Sequence, residues 1–121
     1  MYALNAGRHL QLFFAPSFSD TNWKKIVHHY DLLVSVEPSA LHELNRAVAI
    51  AEVNGPSAAL KNLENTLAPS WLAVSYLWSA VLADLHLRNG NTERGKEYAS
   101  KAVEAAPSNA IRTLLSRRLS S

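Results

Sequence analysis

The side chains able to perform acid–base or metal chemistry are few in this 121-residue chain, and their spacing does not group them. His28 and His29 are adjacent, so on a helix they point about 100° apart and cannot hold one metal ion together. No histidine or carboxylate lies three or four residues after His42. His86 falls where a packed side chain is usual, so we expect a structural histidine. No HExxH motif or pair of carboxylates occurs, and we predict no metal site.

Nucleophilic and phosphate chemistry is equally unsupported. The chain has no cysteine, which excludes disulfides, thiolate metal sites and cysteine nucleophiles. The serines lie mainly at turns and helix starts, where capping accounts for them. There is no GxSxG elbow, and the four glycines are isolated, so no phosphate-binding loop is present. We therefore predict no catalytic residue, no cofactor and no enzymatic activity.

Polar side chains in one small, apolar stretch raise a different possibility, that of a binding surface. The stretch NRAVAIAEVNGP begins with Asn45 and Arg46 and carries Glu52 before Gly55 and Pro56. Asn45 and Glu52 are seven residues apart, which places them on one face of a helix. Asp84 and Arg88 occupy the equivalent stripe of a later helix. Two such helices can line one polar groove.

The helices that must position these residues are marked by regular punctuation. Glycines and prolines end apolar segments of helical period, and no alternating stretch suggests a strand. We predict an all-α chain of seven helices, the first over about residues 2–14. Asp20 or Thr21 should cap the second helix and Thr92 the sixth. The predicted packing stripes are Trp23, Ile26, Val27, Tyr30, Leu33 and Val34; Leu41, Leu44, Val48 and Ala51; Leu60, Leu63 and Leu67; Tyr98, Ala99, Ala102 and Val103; and Ile111, Leu114, Leu115, Arg118 and Leu119.

The longest apolar stretch is WLAVSYLWSAVLADLHL, residues 71–87. It is shorter than the roughly 20 residues of a membrane span and is broken by polar side chains, so we predict a buried central helix. The opening segment carries Arg8 and His9 in its middle, unlike a secretory signal. The formal charge of +2 is too small to imply nucleic acid. We expect a cytoplasmic protein with no membrane contact and no direct nucleic-acid binding.

Residues 76–109 resemble a 34-residue tetratricopeptide repeat. The match includes Ala83, the turn at Gly90, Tyr98, Ala102 and Pro107. Gly95 stands where the repeat usually has alanine, which allows close helix approach but weakens the helix. Degenerate copies follow from aligning Gly55 with Gly90. We predict a single tetratricopeptide-like superhelical domain over residues 1–121, with helix pairs at about 2–38, 39–68 and 70–106 and a capping helix at 108–120.

Within such a stack two interpretations of the polar residues stay open. In one, Asn45, Arg46, Glu52, Asp84 and Arg88 line a partner-binding groove. In the other, the polar groups satisfy one another, with Arg46 pairing with Asp84, Asp31 or Glu52 to fix the register between repeats. Both predict that Arg46→Ala is harmful, but only the groove predicts loss of binding without loss of thermal stability.

The chain also resembles the C-terminal part of bacterial extracytoplasmic-function sigma factors that carry a tetratricopeptide-like extension. The resemblance spans nearly the whole chain, and its most specific part is the L-N-R-A-V-A…E-x-x-G-P run. Leu82 departs from it, because the family often has arginine there. The matching residues are Tyr2-Ala3-Leu4; Trp23, Ile26, Tyr30, Asp31 and Leu33; Pro38 and Ser39; Leu44 to Ala49; Glu52, Gly55, Pro56, Ala58 and Leu60; Ala83 to Leu85; and Leu115, Arg118 and Leu119.

This resemblance implies a regulatory domain that tunes a sigma factor through protein contacts. Its partner would be the sigma regions of its own parent chain, RNA polymerase or a regulator. The regions that bind core polymerase and promoter DNA are not in this chain, so we do not expect it to direct transcription alone. The alternatives are a free-standing tetratricopeptide-type adaptor for an unrelated peptide or protein and, less favoured, a small helical enzyme.

Overall fold

A computed structural model describes residues 22–37 and 39–119, and every regular element in that part of the chain is a helix. The all-α prediction is therefore confirmed. The predicted first helix and the proposed caps Asp20 and Thr21 lie outside the described residues. The helices are α1 (Trp23–Val36), α2 (Ala40–Asn54), α3 (Pro56–Glu64), α4 (Ser70–Ala73), α5 (Tyr76–Arg88), α6 (Thr92–Ala105) and α7 (Asn109–Leu119).

The chain divides into two compact units between Thr66 and Leu67. In the first unit, α2 packs against both α1 and α3. In the second unit, α5 packs against α6, α7 contacts both of these helices, and α4 contacts α5. The division lies close to the predicted limit between the second and third helix pairs.

Local chemistry explains the helix ends of the first unit. The Asn22 side chain caps α1 by accepting a hydrogen bond from the Lys25 backbone N–H at 3.1 Å. Ser39 caps α2 in the same way, through the Leu41 N–H at 3.2 Å. Gly55 separates α2 from α3 with φ = +94°, a conformation that side-chain-bearing residues rarely adopt. Pro56 then begins α3, where its missing N–H removes no helical hydrogen bond.

The core of the first unit is built from small and branched side chains on α2 and α3. Leu44, Ala47, Val48 and Ala51 are buried, as their spacing predicts, and the α3 residues Ala59 and Leu63 are also buried. The alanines leave room for close packing between helix backbones. The prediction that Leu67 continues the α3 stripe is wrong, because α3 ends at Glu64 and Leu67 is 94% exposed.

In the second unit the central helix is α5, and seven consecutive residues of it, Ser79–Leu85, are buried. A close approach between α5 and α6 depends on Gly95, which is buried on α6. A Cβ atom at position 95 would lie 2.5 Å from the Leu87 Cγ and 2.6 Å from its Cδ2. Glycine at this repeat position therefore permits the close packing, and alanine would require a shift of Leu87.

Three further expectations for the second unit are wrong. The central helix does not run from 71 to 87, because Ser75 caps a new helix through the Trp78 N–H at 3.2 Å; Trp71 and Val74 are exposed. Thr92 is the first helical residue of α6, and Asn91 precedes it. On α7, Leu115 and Leu119 are buried whereas Leu114 is 44% exposed. The buried face of α7 thus includes the predicted Leu115 and Leu119 but not Leu114.

Among residues 22–37 and 39–119, no helix combines the length and apolar character needed to cross a bilayer.

Candidate functional site

The five residues of the predicted groove fall into the two units. Asn45, Arg46 and Glu52 belong to α2 in the first unit, and Asp84 and Arg88 belong to α5 in the second. Each unit brings its own members into a defined polar cluster. A groove shared by all five residues stays a prediction.

The polar centre of the first unit is the Arg46 cluster, which we define as Asp31, Glu43, Arg46 and Asn62. The Arg46 Nε donates to Asp31 Oδ1 at 2.6 Å, a short charge-assisted hydrogen bond. Its Nη1 lies 3.2 Å from Asn62 Oδ1 and 3.4 Å from Glu43 Oε1. Asp31 is on α1 and Asn62 is on α3, so one guanidinium joins all three helices of the unit.

Asn62 is fixed in turn by its own helix. Its Nδ2 donates to the Ala58 carbonyl at 3.0 Å, which orients the amide oxygen toward Arg46. Arg46 is a half-buried residue whose side chain is 26% exposed. Of the three partners expected for Arg46, the first unit supplies Asp31. The geometry is that of a structural clamp that sets the register of α1, α2 and α3.

Asn45 and Glu52 differ in accessibility although they share a helical face. Asn45 is 2% exposed, and its Nδ2 donates to the Leu41 carbonyl one turn earlier at 3.1 Å. This bond satisfies part of the buried amide within its own helix. Glu52 is exposed near the C-terminal end of α2. Of the predicted groove residues on α2, Glu52 is therefore the one most accessible to a partner.

The polar centre of the second unit is the Asp84 cluster, formed by Asp84, Arg88 and Arg118. The Arg88 Nη1 lies 3.4 Å from Asp84 Oδ2, and the Arg118 Nη1 lies 3.3 Å from Asp84 Oδ1. Asp84 is 7% exposed, and a buried carboxylate without a partner would be destabilising. The two guanidinium groups compensate its charge. Together with Leu87 these residues line a cleft of about 240 Å³. Arg118 is on α7, and the ion pair attaches this helix to α5.

His86 has the structural setting predicted for it. Its ring stacks on the ring of Tyr98 with the centroids 5.7 Å apart and the planes 2° from parallel. The Asn91 Nδ2 and the His86 Nδ1 are 3.1 Å apart. Burial, and then the nearby Arg94 guanidinium, lower the pKa of His86. The neutral imidazole is consequently favoured in the folded protein, and it can accept a hydrogen bond from the Asn91 amide.

Two of these clusters contain residues that the sequence analysis did not assign. Glu43 lies three residues before Arg46, a spacing that brings side chains together on a helix, so this pair had a local signal. Asn62 and Arg118 had no local signal as partners, because they reach Arg46 and Asp84 from other helices. No group of three or more potential metal ligands occurs among residues 22–37 and 39–119.

Burial also raises the pKa of Tyr30, the buried member of the α1 stripe. Its ring meets the His29 ring edge-on at a centroid distance of 5.6 Å. Tyr30 is followed by Asp31, so the same turn of α1 supplies one buried aromatic ring and the carboxylate that binds Arg46. This arrangement ties the apolar contact of α1 to its polar one.

The chain matches no protein-family model, no curated protein and no solved structure.

Proposed function

We propose that this chain is a helical-repeat interaction domain related to the C-terminal extension of a bacterial sigma factor, and that it modulates transcription initiation in the cytoplasm through protein contacts rather than catalysis. The observation that carries the proposal is a hydrogen bond between two residues that belong to separate sequence motifs of the family pattern. Asp31, from the first part, binds Arg46, from the central L-N-R-A-V-A part, at 2.6 Å.

The turn at the end of that central part supports the same proposal. Gly55 needs its positive φ and Pro56 needs the first position of α3, so both residues have a defined structural role. The residues that make the pattern specific are thus the residues that build the first unit. Helices that pack in consecutive pairs are the form expected of a tetratricopeptide-like stack, whose usual use is to present a binding surface.

Glu52 is the residue through which we test the proposal. We expect the tagged chain to capture sigma-factor or core RNA polymerase subunits from a bacterial extract, identified by mass spectrometry. Glu52→Lys should reduce this capture several-fold with little change in Tm, because interactions of an exposed charged side chain contribute little to stability. Glu64→Lys is the matched control, since it makes the same charge change at an exposed position on α3.

Two results would contradict the proposal in different ways. Equal capture by wild type and Glu52→Lys would show that Glu52 is not part of the contact surface. Specific capture of a protein unrelated to transcription would support the alternative, a free-standing tetratricopeptide-type adaptor.

A further inference from the structure

The basic residues of this chain are unevenly distributed. Residues 67–119 carry seven Lys and Arg against four Asp and Glu, a net charge of +3. Residues 22–66 carry four against five, a net charge of −1. The small total charge therefore conceals a basic second unit, and long-range attraction between this unit and an acidic partner is expected.

Helix α6 sorts its charges onto two separate stripes. Glu93, Glu97 and Glu104 are spaced by four and seven residues and share one stripe. Arg94, Tyr98 and Lys101 are spaced by four and three residues and share another. The basic stripe has one aromatic ring between its two cations.

That aromatic ring is held in place. Tyr98 stacks flat on His86, and Asn91 contacts His86 in turn, so α5, the turn at Asn91 and α6 all support the ring. We call His86, Asn91, Arg94, Tyr98 and Lys101 the Tyr98 cluster. The Tyr98 ring is half-buried, and Arg94 and Lys101 are exposed.

Both cations lie over this ring. The Arg94 Cζ is 5.7 Å from the ring centroid and the Lys101 Nζ is 5.2 Å from it, each within the range of a cation–π interaction. Neither side chain forms an ion pair with a carboxylate of the described residues, although Glu97 and Glu104 are near in sequence. The two charges are thus positioned by the ring and no more than about 11 Å apart.

We propose that the Tyr98 cluster binds an acidic peptide segment, with one carboxylate on Arg94 and a second on Lys101. A polyproline II peptide completes one turn in three residues and about 9 Å, so acidic residues at every third position lie on one face at a spacing within the limit of about 11 Å. This inference rests on the proposed function in one respect only, namely that the partner is a protein. It concerns a surface of α6 that is distinct from the residues of the predicted groove.

A peptide is favoured over a nucleic acid for two reasons. The acidic stripe of Glu93, Glu97 and Glu104 lies beside the basic stripe and repels anionic ligands, so it disfavours a phosphate backbone, charged at every nucleotide, more than a peptide whose carboxylates are separated by neutral residues. The Tyr98 ring is also occupied by His86 on one side and by the two cations, which leaves it a poor platform for base stacking.

The test is a fluorescence-anisotropy titration of the whole chain with a labelled peptide of about ten residues that has Glu at every third position. A peptide with Gln in place of Glu and a single-stranded oligonucleotide of similar length are the comparison probes. We expect Arg94→Glu and Lys101→Glu each to weaken binding of the acidic peptide about three- to tenfold, because each turns an attraction into a repulsion. Arg94 and Lys101 are both exposed, so the Tm of each variant should match the wild type.

Lys96→Glu is the matched control. It makes the same charge change on the same helix but outside the basic stripe, and it should alter binding by less than about twofold. The proposal is overturned if the acidic peptide does not bind, if the Gln peptide binds equally well, if Lys96→Glu is as harmful as the other two changes, or if the oligonucleotide binds more tightly. Because Glu52 is untouched, these outcomes are independent of the capture experiment above.

Discussion

Arg46 is the residue through which the three helices of the first unit meet. Its guanidinium binds Asp31 of α1, Glu43 of its own helix and Asn62 of α3. Lysine would place a single ammonium group there and could not reproduce the planar arrangement of donors. At the residue scale, the arginine of the NRAVA stretch therefore acts first on structure, and any part in binding depends on the register that it sets.

We expect Arg46→Ala to lower the free energy of unfolding by about 1–3 kcal/mol, because it removes charge-assisted hydrogen bonds to two neighbouring helices. Urea denaturation followed by circular dichroism measures this loss. Lys61→Ala, which truncates an exposed cation on α3, should change the same quantity by less than about 0.5 kcal/mol. Equal stability of Arg46→Ala and wild type would show that the cluster does not hold the helices together.

Glu52 is the groove residue of α2 whose side chain is accessible to a partner and is not part of the core. It is exposed, whereas Asn45 on the same helical face is buried and bonded to Leu41. Substituting Asn45 would therefore confuse folding with binding. Glu52→Lys separates the two effects, which is why the capture experiment uses it.

At the element scale, the contact between α5 and α6 is set by one missing side chain. Gly95 allows Leu87 to occupy the space that a Cβ atom would take. Because glycine weakens a helix interior by about 1 kcal/mol relative to alanine, its presence here reflects packing and not helix propensity.

We expect Gly95→Ala to lower the free energy of unfolding by about 1–3 kcal/mol, since the overlap with Leu87 outweighs the gain in helix propensity. Thermal denaturation of Gly95→Ala and of Ser100→Ala, an exposed control on α6, provides the measurement. In a Leu87→Ala background, Gly95→Ala should be less destabilising, because the two closest atoms are gone and only the Leu87 backbone nitrogen, 3.1 Å from the added Cβ, still obstructs it. A stabilising effect of Gly95→Ala in the wild-type background would refute the packing argument.

The break between α4 and α5 is a helix boundary that the periodicity of apolar residues does not reveal. Residues 71–87 are apolar enough to suggest one helix, but Ser75 accepts the Trp78 N–H and begins a new one. A serine inside an apolar run is compatible with a helix interior as well as with a cap. The local sequence therefore did not distinguish the two, whereas the Gly55-Pro56 boundary was predicted from the sequence.

At the scale of the whole molecule, histidine titration provides a pH-dependent contribution to stability. The folded protein lowers the pKa of His86, whereas the unfolded chain restores it to about 6.5. The groups that face His86 are Arg94, Tyr98 and Asn91. The unfolded state therefore binds the proton more readily, and stability falls as the pH decreases from above 6.5 toward the folded pKa of His86.

We expect the Tm of the wild type to decrease between pH 7.5 and pH 5 more steeply than that of His86→Gln, because the variant lacks this titration. Ser100→Ala, an exposed change on α6 that removes no titratable group, should retain the wild-type slope. Differential scanning calorimetry at several pH values measures the slopes. Identical slopes for wild type and His86→Gln would contradict the linkage.

The distribution of net charge is a second property that becomes informative at this scale. The total of +2 gave no indication of a partner, but the second unit alone carries +3, and α6 arranges two of its cations around one ring. The net charge of the whole sequence does not show how the charged side chains are distributed over the surface. The Tyr98 cluster exists because α5 and α6 pack so that His86 reaches Tyr98.

The amino-acid sequence by itself determined the helical class, the glycine–proline turn and most of the buried face of α2. These features depend on interactions within a few residues, namely backbone φ and the period of the helix. Only the tertiary structure decided that Arg46 binds Asp31 and Asn62, that Arg118 joins Arg88 on Asp84, and that His86 stacks on Tyr98. A guanidinium or a ring accepts many partners equally well, and the packing of helices distant in sequence selects among them.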